Sequence, residues 1–144
     1  MKSIVLIFLT FLLVQCSKKD DDIAVCSPPN TSKYLFIIDK VTDVNILSNG
    51  RFTSNQIKIV TVPENLFQNY FRFQRDFIDI FPIEQEGLFD VTIFLNDEIF
   101  IPLSISNLKK NTECGNFYML DKILSKNPDY ILSEREQNKI TIKI

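Results

Sequence analysis

The sequence predicts an all-β domain, an antiparallel sandwich of about seven strands, and three observations carry that expectation. Beyond residue 33, apolar residues recur mainly with the period of two that a half-buried strand requires. Turn-forming residues break these segments every ~8 to 15 positions, the spacing of short sandwich strands. The chain has 144 residues, enough for one domain with a core of its own and a short additional segment.

The elements follow in order. Tyr34-Leu35-Phe36-Ile37-Ile38 is a short apolar run closed by Asp39, which fits a central strand. Ile57, Ile59 and Thr61 alternate with Lys58, Val60 and Val62, and Pro63 ends that second strand. Tyr70-Phe71-Arg72-Phe73-Gln74 alternates ring and polar group, and an extended piece over residues 77–81 follows before Pro82. The clearest signal is a hairpin: Phe89, Val91, Ile93 and Leu95 share one face, Asn96-Asp97 turns the chain, and Ile99, Ile101, Leu103 and Ile105 return. Pro102 lacks a ladder donor, so the returning strand is expected at a sheet edge or with a bulge at that point. Residues 117–124 fit either a strand or a helix face. Strand is favoured, because Asn127-Pro128-Asp129 turns the chain and Tyr130-Ile131-Leu132 resumes a β-like run. Ile140, Ile142 and Ile144 alternate in a strand that runs to the last residue.

The beginning of the chain has another character. One positive charge, Lys2, precedes an apolar run over residues 4–14, which then meets Cys16 and becomes Ser17-Lys18-Lys19-Asp20-Asp21-Asp22. That is the layout of an export signal. The run is about half of the roughly 20 residues that a spanning helix needs. Leu13-Val14-Gln15-Cys16 resembles a bacterial lipobox, with Gln15 where most lipoboxes have a small residue, and the acidic stretch after it resembles the export signal of Bacteroidota-type lipoproteins. The resemblance implies cleavage before Cys16, acylation of Cys16, and an outer-membrane lipoprotein that is surface-exposed or otherwise faces the periplasm. Two or more acyl chains anchor a protein stably where one binds marginally. The expected organisation is a signal peptide over residues 1–15, a lipidated N-terminus and tether over 16–32, and the β-domain over 33–144. The tether, with Ser27-Pro28-Pro29-Asn30, resists regular structure; extended, it spans on the order of 50 Å.

With Cys16 acylated, Cys26 and Cys114 remain in an oxidising compartment, where they are expected either to form a disulfide or to stay as two separate thiols. A second resemblance lies in Asp39-Lys40-Val41-Thr42-Asp43-Val44-Asn45-Ile46-Leu47. It is similar to the Asp-x-x-Thr-Gly-x-x-Leu turn between the first two strands of transthyretin-like and carboxypeptidase-regulatory-like domains, with Asp43 in place of the glycine. It implies an immunoglobulin-like or prealbumin-like sandwich.

Chemistry is constrained by what the chain lacks. There is no histidine, so Ser-His-Asp, Cys-His and histidine-ligated zinc sites are excluded. Three isolated glycines, Gly50, Gly87 and Gly115, build no phosphate cradle. The net charge of −2 attracts no nucleic acid. Of the carboxylate pairs, Asp76 and Asp79 point to opposite faces of an extended segment, poor geometry for glycosidase-type cooperation. Glu84 and Glu86 share a face only if their loop is extended, and are read as a solvated turn. Asp39, Asp43 and Asn45 fit no EF-hand spacing. No catalytic, cofactor or metal site is therefore expected. Phe94 and Phe100 point away from the apolar faces of the hairpin and form a candidate exposed binding patch. The expected role is a non-catalytic binding or accessory module. Its partners are the membrane, through the anchor, and an envelope protein or a glycan; the alternatives are a glycan-binding or nutrient-uptake lipoprotein and a structural envelope protein.

Overall fold

The computed structural model describes residues 31–62, 68–136 and 138–144, and these residues form an all-β, two-sheet sandwich. Nine strands are present among them: β1 (Lys33–Ile38), β2 (Lys58–Val62), β3 (Phe71–Phe73), β4 (Ile78–Ile80), β5 (Gly87–Phe94), β6 (Phe100–Thr112), β7 (Gly115–Ser125), β8 (Ile131–Glu136) and β9 (Lys139–Lys143). One sheet has the order β3-β4-β1-β9-β8 and the other β2-β5-β6-β7. All neighbours are antiparallel except β1 and β9, which run parallel from Tyr34↔Lys139 to Ile38↔Lys143. The sandwich is thus not uniformly antiparallel, because the first and last strands meet side by side at the centre of one sheet.

Period-two patterning explains the core. Leu35, Ile37, Ile78, Ile80, Ile140 and Ile142 face inward from one sheet, and Ile93, Leu95, Ile101, Leu103 and Ile105 from the other, all essentially inaccessible to water. Each such side chain contributes about 1.5–3 kcal/mol on burial. Lys33, at the margin of this layer, is buried with its ammonium 2.6 Å from Glu134 of β8.

Three expectations are corrected. Tyr70 belongs to a 3-10 turn over Gln68–Tyr70, so the third strand is shorter than the ring alternation implies. β6 lies inside its sheet, between β5 and β7, with no register shift at Pro102. Proline is tolerated there because its carbonyl accepts from Lys126 N–H on the β7 side. The missing N–H would face the same way, where the β6–β7 ladder has already ended at Leu103↔Ser125. The bulge lies instead opposite Ser106/Asn107, where Asp121 is the extra residue of β7.

After β1 the chain reverses at the Asp39–Asn45 turn. Asp39 Oδ1 accepts from the N–H groups of Val41 and Thr42, Asp43 N–H donates to Asp39 O, and Asp43 sits at φ 56°. Aspartate enters this left-handed region more readily than most non-glycine residues, and its carboxylate also pairs with Lys143. The residue in the glycine position therefore keeps a left-handed turn.

Candidate functional site

The β2-β5-β6-β7 sheet has one face in the core and one in solvent. Its register aligns the outward residues in rows: Lys58, Phe94 and Phe100; then Val60, Thr92 and Pro102; then Val62, Asp90, Ser104 and Leu124; then Leu88, Ser106 and Lys122. Five of the eight exposed large hydrophobics among the described residues stand here: Leu88 (67%), Val62 (64%), Leu124 (53%), Phe100 (50%) and Val60 (41%). Phe94 is half-buried because its ring leans on Phe100, with centroids 6.2 Å apart and planes tilted by 38°. Tyr130 reaches across to donate its hydroxyl to Phe100 O at 3.2 Å, fixing that end of β6.

Polar groups share this face: Lys58, Asp90, Thr92, Ser104, Ser106 and Lys122 stand in the same rows. Lys126 Nζ lies 2.7 Å from Asp90 Oδ2, and Ser104 Oγ lies 3.4 Å from Asp90 Oδ1. The lysine bond holds the Asp90 carboxyl below the ordinary carboxylate range. Lys58 on β2 and Lys122 on β7 mark the two margins and are exposed. The edges of both sheets are poor templates for strand addition. β3 has three residues, β2 begins with a lysine, and β7 and β8 each carry a register shift. The unpartnered surface is thus a face and not an edge.

The outward face of the other sheet is furnished differently. Tyr34 and Phe36 are covered by Phe77, at 5.2 and 5.4 Å between centroids, and Lys139 Nζ stands 4.9 Å over the Phe36 ring. Asp79 also points this way and is 8% exposed, with Oδ1 unpartnered among the described residues. Burial pushes its carboxyl up, against a hydrogen bond from Ser32 and the charge of Arg72. Ser32, expected at the end of the tether, is therefore packed into the domain.

The remaining candidate residues do not assemble into a reactive site. Asp76 is exposed while Asp79 is buried, and Glu84 and Glu86 are both exposed. Asp39, Asp43 and Asn45 spend their side-chain oxygens on backbone N–H groups and on Lys143. Among the described residues no group of three or more potential metal ligands stands together. Cys114, in the exposed β6–β7 turn, is not a free thiol. Cys16 and Cys26 lie outside the described residues, as do the signal segment and the tether up to residue 30. No protein-family model matches the chain, and neither a curated protein nor a solved structure matches it.

Proposed function

We propose that the chain is a lipid-anchored lipoprotein of the bacterial cell envelope, exposed at the outer-membrane surface. Its β-sandwich serves as a non-catalytic binding or accessory module for a partner protein. The observation that carries this reading is the outward face of the β2-β5-β6-β7 sheet, where Phe94, Phe100, Val60, Val62, Leu88 and Leu124 stand around the Asp90–Lys126 pair. Exposed apolar patches mark protein–protein or membrane interaction sites and ligand-binding grooves. A protein fits better than a glycan, because five large apolar side chains are exposed on this face and Asp90 is already paired with Lys126. The anchor is supported by the apolar run that ends at Cys16 and the acidic stretch behind it.

Pairing of Cys26 with Cys114 belongs to the same reading. Asn107 donates to Ile83 O and Gln85 O, just beyond β4, and Ile80 of β4 is the register partner of Lys33. The start of β1 and the β6–β7 turn thus lie toward one end of the sandwich. The ribbon beyond Asn107 rises by about 17 Å, and seven residues from Cys26 to Lys33 extend to at most roughly 23–25 Å, lengths of the same order.

Two measurements test the proposal. Growth with labelled palmitate should mark the wild type and leave Cys16→Ser unmarked; equal labelling would remove the anchor. A double variant, Val62→Ser with Phe100→Ser, should stay folded and lose a partner that the wild type retains through purification. Undiminished retention would remove the face from the proposal.

A further inference from the structure

A cavity of about 390 Å³ lies between the loop that follows β1 and the β3–β4 turn. Its floor is apolar: Leu47, Phe52 and Ile57 are buried and Phe73 half-buried. Its mouth is polar, with Arg75, Gln74 and the hydroxyls of Ser48 and Ser54, all exposed. Gly50 stands at the same mouth, at φ +74° and with open space where a Cβ would project. Arg75 is the one charged lining residue among the described residues. A volume in the few-hundred-Å³ range, an apolar body and a small number of directed polar groups are the features of small-molecule sites.

The walls are preorganised. Asn45 Nδ2 donates to Asp76 O at 2.6 Å, tying the long loop to the β3–β4 turn, while Asn45 Oδ1 accepts from Leu47 N–H. Ser48 Oγ donates to Asn45 O. Further along, Gln56 Oε1 accepts from both the N–H and the hydroxyl of Thr53, and Gln74 N–H donates to Phe77 O across the facing turn. Both loops are therefore held by their own hydrogen bonds, so binding need not order them first. Guanidinium presents a planar fork that matches a carboxylate bidentately, and such charge-assisted bonds are the stronger ones.

From these features we infer that the cavity binds a small organic carboxylate with an apolar, ring-sized body. The body rests on Leu47, Phe52, Ile57 and Phe73, and the carboxylate meets Arg75. The site depends on neither the lipid anchor nor the partner face. The test titrates the purified protein with 4-phenylbutyrate and with its uncharged amide, following backbone amide resonances. Saturable shifts should concentrate at Gly50, Phe52 and Gln74, and the carboxylate should bind about tenfold more tightly than the amide. Arg75→Gln should erase that preference. Ser54→Trp, at the exposed mouth, should abolish both titrations while resonances elsewhere keep their positions. Absence of saturable shifts, shifts centred elsewhere, or a carboxylate preference that survives Arg75→Gln would overturn the inference.

Discussion

Asn107, buried at the irregular point of the β6–β7 ladder, donates its side-chain amide to the backbone carbonyls of Ile83 and Gln85, at 2.5 and 3.2 Å. One side chain thereby ties the segment that crosses from β4 to β5 onto the sheet that bears the outward apolar face.

Removing that tie leaves the carbonyl of buried Ile83 without its donor, which costs about 1–3 kcal/mol. Asn107→Leu, similar in size, should lower unfolding free energy by about that amount in chemical denaturation. Ser106→Ala, its half-buried neighbour, should change it by about 0.5 kcal/mol or less.

Stability should separate the two faces of a single strand. Phe100→Ser, on the half-exposed outward ring, should cost about 1 kcal/mol or less. Ile101→Ala, the next residue and fully buried, should cost about 2–5 kcal/mol. Denaturant midpoints of the two variants would show whether the Phe94–Phe100 pair is there for the fold or for a surface.

Asp79 should make stability depend on pH in a defined direction. Burial raises its folded-state pKa above the ordinary 3.8. The protonated form is thus favoured by folding, and the contribution is fully present below that ordinary value and lost as pH rises through the folded value. Asp79→Asn keeps the shape and an acceptor for Ser32 and removes the ionisation. Its melting temperature should therefore exceed the wild type at pH 7, with the gap closing toward pH 3.5. A constant gap across the range would contradict the assignment.

The Asp43 turn should tolerate glycine and reject β-branching. Asp43→Gly keeps the positive φ at ease and loses the surface pair with Lys143, worth about 0–1 kcal/mol. Asp43→Val forces a branched side chain into the left-handed region, where strain costs about 1–3 kcal/mol. Thermal melts of the two variants should separate accordingly.

The fold was readable where neighbours in sequence are neighbours in space. The alternation of Phe89 to Leu95 and of Ile99 to Ile105 marks β5 and β6, because each strand presents its apolar set to one core. The ambiguous residues 117–124 become strand because β6 offers a ladder to them. The parallel meeting of β1 and β9 was not readable, since no local pattern states which distant strand will be adjacent. Pro102 misled because its tolerance depends on where β7 happens to end. Of the site, the outward direction of Phe94 and Phe100 follows from period two alone. The contributions of Val60, Val62, Leu88 and Leu124 required the register between strands. The cavity beside Arg75 was hidden for the same reason, being assembled from two loops, far apart in sequence, that the Asn45–Asp76 bond joins.

The most direct test of the outward face is site-specific photo-crosslinking in intact cells, with a benzophenone side chain at Phe100 and, as control, at Ser133 on the outward face of the other sheet. A discrete cross-linked species formed from position 100 and not from position 133 is the predicted result. No adduct at position 100, or the same adducts from both positions, would contradict the reading of that face as a binding surface.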